Sequence, residues 1–267
     1  MKHKLNVAIL GHGPVGVYVA RHLVNHDVIG VAGFLCRPGR EADASNIIDG
    51  VPAVSNLSQL PTRPDLVADC GGHAALRQHG VTILRSGIDL ATVSTGALAD
   101  TDLAIALETA AREGGTRLQL ASGAIGALDI IAAANIEGLE NLIYRGRKPP
   151  SGWKGSPAED KLDLENLSGP EIHFSGTARE AALLYPKNAN VAASVALAGP
   201  GFDETFVELI ADPSITRNIH EVEATGAFGN LHFRVEANPF PENPRSSMLA
   251  AMSMVSIIRQ RVAPVGF

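Results

Sequence analysis

A short apolar strand that runs into a glycine-rich turn constrains the N-terminal fold of this chain most strongly. Residues 6–10 are predicted to form the strand, residues 11–16 read Gly-His-Gly-Pro-Val-Gly, and a helical stretch follows. In a phosphate-binding turn, Gly11 permits the tight bend, Gly13 admits a pyrophosphate to the backbone, and Gly16 lets the helix pack on the strand. The helix N-terminus then faces the phosphates. The pattern therefore predicts a dinucleotide site, with a purely structural turn as the alternative; its predicted contacts are Gly11, Gly13, Pro14, Val15 and Gly16.

The first 121 residues alternate between short apolar strands and helical stretches, which is typical of a doubly wound parallel sheet. The predicted strands are residues 6–10, 29–35, 66–69, 82–84, 91–94 and 117–121, and the predicted helices are residues 15–25, 73–79 and 98–113. The fold class is therefore α/β, with an N-terminal Rossmann domain over residues 1–121.

The pattern changes after residue 122 and predicts a second, smaller α+β domain over residues 122–244. A helix at 125–135 and a strand at 141–146 lead into a polar loop at 147–169. The segments 205–211, 218–224 and 231–237 then alternate with period two, which favours an open mixed or antiparallel sheet. We expect this domain to bind the substrate, and the helix within residues 245–267 to pack back on the first domain.

Composition excludes several classes of function. The net charge is -6 and no segment concentrates Lys and Arg, so a nucleic-acid partner is not expected. The longest apolar stretch, residues 121–136, is interrupted by Asp129 and is too short for a bilayer, so no membrane association is expected. Cys36 and Cys70 have no His or Cys at metal-ligand spacing, which predicts neither a metal site nor a disulfide. With no N-terminal signal segment visible, a cytoplasmic location is expected.

The loop after the second strand bears on the choice of cofactor. It carries Arg37 and Arg40 and no immediate acid, whereas NAD selectivity usually comes from an Asp or Glu that binds the ribose hydroxyls. The loop therefore predicts that NADP is tolerated or preferred. An ordinary basic surface loop would have the same sequence pattern, so both NAD and NADP remain candidate cofactors. Gly71 lies in a small-residue loop after another strand, where it either makes room for the cofactor or forms a plain turn.

Two polar features stand out in the second half. Lys187, Asn188 and Asn190 offer a cation and two amides between two helices. They form either a solvated loop or a substrate or cofactor contact. His220 lies in an alternating strand and shares a face with Asn218 and Val222, as a packed, solvated or catalytic residue.

Four segments together resemble the L-aspartate dehydrogenase family over nearly the whole chain: GHGPVG, ASGAIGALD, GTAREAALLYPKNANVAASVALAG and NIHEVEATGAFGNLHFRVEANPFPENPRSS. The resemblance implies oxidative deamination of L-aspartate with NAD or NADP to iminoaspartate, which hydrolyses to oxaloacetate and ammonia or feeds NAD synthesis. It implies a homodimer, with the domain over residues 122–244 serving dimerisation as well as substrate binding. It also implies that His220 is catalytic and that Ala124 and Asn190 contact the cofactor.

This reaction assigns further roles. We expect His220, with an ordinary pKa near ~6.5, to take a proton from the amine and to activate the water that attacks the imine. The dicarboxylic substrate needs a cation, for which Lys187 is the first candidate and the loop residues Arg147, Lys148 and Lys154 are weaker ones. The alternatives are a related two-domain reductase, such as dihydrodipicolinate reductase or homoserine dehydrogenase, and a non-catalytic NAD(P)H-sensing protein.

Overall fold

A computed structural model describes residues 4–240 and 243–266 of the chain, with only the backbone for residues 243–246. Residues 1–3, 241–242 and 267, which the predicted domain ranges include, lie outside the described residues. The chain divides into two compact units. The first contains the chain up to Ser94, Thr101–Ala121 and the chain from Ala250 onwards, and the second contains Thr95–Asp100 and Ser122–Leu249. The segment Thr95–Asp100, predicted as part of the first domain, thus groups with the second unit.

The first unit is built on a six-stranded parallel sheet with the order β3-β2-β1-β4-β5-β6. This order is that of a dinucleotide-binding doubly wound sheet, so the predicted Rossmann fold is confirmed. Its elements are β1 (Leu5–Leu10), α1 (Pro14–Leu23), β2 (Ile29–Leu35), α2 (Glu41–Ser45), β3 (Ala53–Val54), β4 (Leu66–Asp69), α3 (His73–Arg85), β5 (Asp89–Thr92), α4 (Thr101–Gly114) and β6 (Leu118–Leu120).

The C-terminal helix α8 (Met248–Gln260) contributes to the core of this first unit. Its residues Met254 and Ile258 are fully buried in the same apolar cluster as Ile9 of β1 and Leu23 of α1. Removing such side chains from water stabilises a core by about 1.5–3 kcal/mol each, so the far end of the chain helps to hold the N-terminal sheet.

The predicted strand at residues 82–84 is wrong, because α3 continues through it to Arg85. A Cβ atom at Gly80 would lie 2.7 Å from Cδ2 of Leu107 in α4, so this glycine allows the two helices to approach closely. Val81, Thr82 and Ile83 favour a strand locally, but the packing of α3 on α4 outweighs that preference.

The second unit carries a five-stranded sheet with the order β11-β10-β7-β9-β8. Only β7 and β9 run parallel; the other neighbours are antiparallel, so the predicted mixed sheet is confirmed. Its main elements are α5 (Leu128–Ala134), β7 (Leu139–Lys148), β8 (Glu171–Thr177), α6 (Ala178–Leu184), α7 (Asn190–Ala198), β9 (Phe206–Ala211), β10 (Asn218–Gly226) and β11 (Gly229–Ala237). A short hairpin of β12 (Pro239–Phe240) and β13 (Asn243–Ser247) precedes α8.

Two boundaries in this unit differ from the prediction. Strand β7 runs to Lys148, so the placement of Arg147 and Lys148 in a solvated loop is wrong. The residues Leu142, Tyr144, Gly146 and Lys148 alternate on its buried face, and burial of that face extends the strand. Helix α5 begins at Leu128 rather than at 125, because Ala127 has a left-handed backbone with φ of 59° that is incompatible with an earlier helical turn.

Candidate functional site

The glycine-rich turn forms one wall of a cavity of about 530 Å³ at the carboxyl ends of the strands in the first unit. Gly11 has a φ of +93°, and a Cβ atom there would lie 2.7 Å from Cα of Gly71. At Gly16 a Cβ atom would lie 2.1 Å from the carbonyl oxygen of Gly11, whereas nothing lies within 4 Å of one at Gly13. The turn is therefore closely packed at its two ends and open at Gly13, where a phosphate could approach the backbone.

Helix α1 begins directly behind this opening. Pro14 is its first residue, and the side chain of Val15 packs against the core of the first unit. The first amides of a helix lack partners inside the helix and carry a partial positive charge. The cavity can therefore bind an anion through main-chain groups.

Other residues of the cavity come from the end of β2, from the loops that follow β2 and β4, and from α3. The predicted contacts Gly11, Gly13, Arg37 and Gly71 all line it, and its remaining lining is Leu10, His12, Leu35, Cys36, Arg40, Cys70, Ala74, Ala75, Gln78 and His79. The side chain of Arg37 is exposed, and Arg40 forms a surface ion pair of 2.6 Å with Asp43. The α3 residues were not predicted; their position directly after the Gly71 loop was the available signal.

A buried carboxylate supports the Gly71 loop from below. Asp69 accepts hydrogen bonds from the amide of Gly71 at 3.0 Å and from the hydroxyl of Thr92 at 2.6 Å. Burial raises the pKa of Asp69 to about 6, against the lowering effect of these bonds. Asp69 therefore fixes the loop that closes on Gly11.

The second unit contains a buried polar group that we call the His220 cluster, formed by Tyr144, Lys148, Asn188 and His220. The hydroxyl of Tyr144 lies 2.7 Å from Nδ1 of His220, and Nζ of Lys148 donates to Oδ1 of Asn188 at 2.9 Å. All four side chains are buried. Strand β7 pairs with β10 so that Gly146 is opposite His220, which brings Tyr144 and Lys148 to either side of it.

Burial sets the charge states in this cluster. It lowers the pKa of His220 to about 3, with a further lowering by the charge of Lys148, and lowers the pKa of Lys148 to about 8. At pH 7 the imidazole is therefore neutral and the lysine is charged. The expectation of an ordinary histidine pKa of ~6.5 is wrong for this environment, because the strand face that carries His220 is shielded from water.

Family models match both halves of the chain. Residues 129–261 match the family model described as aspartate dehydrogenase, C-terminal, and residues 11–121 match that of the homoserine dehydrogenase NAD binding domain. An L-aspartate dehydrogenase of Ruegeria pomeroyi is 55% identical over 264 residues, which cover 98% of this chain and 94% of the relative. The chain belongs to the aspartate dehydrogenase family. The resemblance read from the sequence is thereby confirmed.

Further members of the aspartate dehydrogenase family extend this agreement to structure. An L-aspartate dehydrogenase of Ralstonia nicotianae is 44% identical and covers 98% of this chain and 99% of its own. The crystal structure of aspartate dehydrogenase from Thermotoga maritima superposes with a TM-score of 0.78 at 26% identity, covering 99% of this chain and 100% of that one. The relatives therefore match both units rather than the dinucleotide-binding unit alone.

The residues that the aspartate dehydrogenase resemblance assigns to the cofactor, Ala124 and Asn190, both lie in the second unit. Ala124 is buried in the turn before α5. Asn190 begins α7 and accepts hydrogen bonds from the Thr95 loop: its carbonyl from the hydroxyl of Thr95 at 2.7 Å and its Oδ1 from the amide of Gly96 at 3.0 Å. The Thr95 loop is thus fixed to the start of α7.

Two of the four candidate cations are already paired with carboxylates. Arg147 donates to the buried carboxylate of Asp212 at 3.0 Å, and Lys154 forms an exposed pair with Glu165 at 3.2 Å. Carboxylates of the second unit thus neutralise the charges of Arg147 and Lys154. Lys187 and Lys148 remain as candidate cations for the substrate.

Lys187 and Lys148 differ in their surroundings. The side chain of Lys187 is exposed, whereas its neighbour Asn188 points into the His220 cluster and binds Lys148. Lys148 also lies 5.2 Å from the centre of the Trp153 ring, a neutral aromatic partner. Asn188 of the predicted segment therefore belongs to the His220 cluster, whereas Lys187, the first candidate cation, lies outside it. Period-two alternation from Leu142 onwards was the signal that would have placed Lys148 on the buried face.

The Trp153 ring near Lys148 belongs to a group of packed rings that also contains His173 and Tyr185. The ring of Trp153 contacts His173 edge-on at 4.3 Å between centroids, and the hydroxyl of Tyr185 lies 3.2 Å from Nδ1 of His173. Burial lowers the pKa of His173 to about 4. This second tyrosine–histidine pair was not predicted.

Among the described residues, no group of three or more His, Cys, Asp or Glu could hold a metal ion, and no helix is long and apolar enough to cross a membrane.

Proposed function

We propose that this chain catalyses the NAD(P)-dependent oxidative deamination of L-aspartate to iminoaspartate. The observation that carries the proposal is the His220 cluster: a neutral imidazole and a charged ammonium group are buried together in the unit that matches the aspartate dehydrogenase family model. A neutral imidazole can accept a proton, and an ammonium group can bind a substrate carboxylate.

The first unit has the features that a dinucleotide cofactor needs. The close packing at Gly11 and Gly16, with open space beside Gly13, leaves room for a pyrophosphate against the backbone. We assign the phosphates to residues 11–16, the adenosine ribose to Arg37 and the Gly71 loop, and further cofactor contacts to Ala124 and Asn190. When bound, the nicotinamide supplies the acceptor for the hydride from Cα of the substrate. Arg37 would attract the additional phosphate of NADP.

Lys148 is our candidate for binding a carboxylate of aspartate. It is buried beside His220, and Asn188 orients its ammonium group through the 2.9 Å hydrogen bond. A buried cation interacts more strongly with a carboxylate than an exposed one does, because water screens it less. Lys187 is the alternative that the sequence favoured, and its exposed side chain makes it the weaker candidate.

His220 is our candidate for the acid–base group. Oxidation requires an amine that has lost a proton, and hydrolysis of the imine requires an activated water molecule. The low pKa of His220 in the free protein makes it a weak base. The carboxylates of a bound substrate would raise this pKa, because nearby negative charge favours the imidazolium form. Substrate binding thus prepares His220 to accept the proton.

Replacement of His220 tests this function, with an exposed histidine on the neighbouring strand as a matched control. We expect His220→Ala to lower kcat for aspartate about 10²- to 10⁴-fold, the usual contribution of positioned proton transfer, without changing cofactor affinity. His232 lies in β11 with an exposed side chain, and His232→Ala should retain wild-type turnover. Full activity of His220→Ala with aspartate would refute the assignment.

The other two functions considered make different predictions. A dihydrodipicolinate or homoserine type of enzyme would turn over its own substrates in a panel followed by NAD(P)H absorbance, and a sensor would bind NADPH without turnover. The family match favours aspartate as the substrate. Three further points stay predictions: the homodimer, the cytoplasmic location and the supply of iminoaspartate to NAD synthesis. Light scattering tests the homodimer by measuring the molecular mass in solution.

A further inference from the structure

A tyrosine holds the ring of His220 from the side of Nδ1. The hydroxyl of Tyr144 is 2.7 Å from this nitrogen, and the two rings are nearly parallel, at an interplanar angle of 18°. Both side chains are at most 3% exposed. The bond is short, shielded from water and confined to the second unit, so it restricts the rotation of the imidazole about its side-chain bonds.

A glycine makes this contact possible. Gly146 lies directly opposite His220 in the antiparallel pairing of β7 with β10. A Cβ atom at Gly146 would lie 2.7 Å from the Tyr144 hydroxyl oxygen and 3.2 Å from its ring. Glycine normally weakens a strand interior, and it often marks a place where another group must approach closely. Here the group that approaches Gly146 is the phenol of Tyr144, whose hydroxyl contacts His220.

We propose that Tyr144 is a positioning residue that occupies Nδ1 of His220 and so makes Nε2 the nitrogen that exchanges protons with the substrate. The inference rests on the proposed acid–base role of His220. For Nε2 to accept a proton, the neutral ring must carry its hydrogen on Nδ1, and that hydrogen is donated to the Tyr144 hydroxyl oxygen. When Nε2 gains a proton, the same bond becomes charge-assisted and stronger.

The electrostatic surroundings agree with this arrangement. Burial raises the pKa of Tyr144 far above its ordinary value, so the phenol stays neutral at pH 7. Lys148 is the charged group that acts on His220, and it opposes protonation of the ring. The hydrogen bond from Nδ1 acts in the opposite direction, because it stabilises the imidazolium form. Tyr144 therefore orients His220 and partly offsets the loss of basicity that burial and Lys148 cause.

Tyr144→Phe removes the hydroxyl and keeps the ring. Loss of a hydrogen bond to a charged group should lower kcat for aspartate about 10- to 100-fold, while KM for aspartate and the affinity for NADPH change little. Tyr185→Phe is the matched control, because it removes a buried hydroxyl that binds the histidine outside the His220 cluster. An equal fall in both variants, or no fall in Tyr144→Phe, would overturn the inference.

A spectroscopic measurement tests the proposal on the wild-type protein. Nitrogen-15 NMR of labelled histidine should show neutral His220 with its hydrogen on Nδ1, and Tyr144→Phe should shift the population towards the Nε2–H form. His220→Ala identifies the signal. A wild-type ring with its hydrogen on Nε2 would refute the proposal even if the phenylalanine variant fails to fold.

Gly146→Ala provides a second perturbation that retains the tyrosine. Its methyl group displaces the hydroxyl, so kcat should fall as in Tyr144→Phe, whereas Gly169→Ala, where nothing lies within 4 Å of the added atom, should retain full turnover. If His220→Ala loses activity but Tyr144→Phe and Gly146→Ala do not, the positioning role alone is wrong. If His220→Ala keeps its activity, the proposed function of the cluster fails instead.

Discussion

Replacing Lys148 by methionine separates what this buried charge contributes to binding from what it costs in stability. Methionine has a similar length and no charge. If the ammonium group binds a substrate carboxylate, its loss removes about 1.5–3 kcal/mol. This energy corresponds to a rise in KM for aspartate of about tenfold or more. The affinity for NADPH should not change, because the assigned phosphate contacts are residues 11–16.

The effect on stability follows from the pKa of the lysine. A fall from 10.5 to about 8 on folding means that the charged form disfavours the folded state by about 3 kcal/mol at pH 7. The unfolded chain binds more protons between these two pKa values, so this destabilisation disappears as the pH rises from about 8 to above 10.5. Lys148→Met has no such dependence. Its stability relative to wild type should therefore fall by about 2–3 kcal/mol between pH 7 and about pH 10.

Two measurements check this reasoning. Trp153 is the single tryptophan of the chain and lies 5.2 Å from Nζ of Lys148, so its fluorescence in urea reports unfolding of the second unit. Initial rates with varied aspartate give KM for Lys148→Met and for Lys187→Met, the exposed comparison. Unchanged KM in Lys148→Met together with a raised KM in Lys187→Met would refute the assignment. An equal stability gap at both pH values would refute the charge state that we infer for Lys148.

Two further predictions concern the first unit. Arg37→Ser should raise KM for NADP about tenfold or more and leave KM for NAD nearly unchanged, since only NADP offers a 2′-phosphate to this side chain. Arg112→Ser, on the exposed face of α4, is the control. Equal effects on KM for NAD and KM for NADP would contradict the assignment. Asp69→Asn removes a carboxyl with a pKa raised from 3.8 to about 6, whose ionisation destabilises the folded state as the pH rises between those values. The stability of Asp69→Asn relative to wild type should therefore increase by about 2 kcal/mol from about pH 4.5 to 7. Urea unfolding followed by circular dichroism measures the free energy of unfolding of both proteins. A difference in this free energy that does not change with pH would show that Asp69 does not ionise in this range.

The nucleotide-binding half was predictable because its signals are local. A glycine with positive φ at Gly11 and a packed glycine at Gly16 have no substitutes among other residues, so the turn is visible in the sequence. The apolar strands β1, β2 and β4 are buried on both faces and read as continuous apolar runs. The exception in this half is Thr82, which favours a strand locally and is helical because α3 packs on α4.

The candidate site of the second half was less predictable, because its residues are far apart in the sequence. Tyr144 and His220 are separated by 76 residues and Lys148 and Asn188 by 40. No local pattern states that they touch. The resemblance to a family pointed to His220, but neither its low pKa nor its tyrosine partner could be inferred from it.

By itself, the sequence determined the alternation of elements, the glycine-rich turn and the family, because each depends on residue types at fixed short spacing. The tertiary structure decided which polar groups are buried together and which stay in water. Lys148 and Lys187 have the same chemistry and both lie in polar segments, yet one is buried and the other exposed. Charge state and hydrogen-bond geometry depend on the local dielectric and on register between distant strands, and these exist only after the chain has folded.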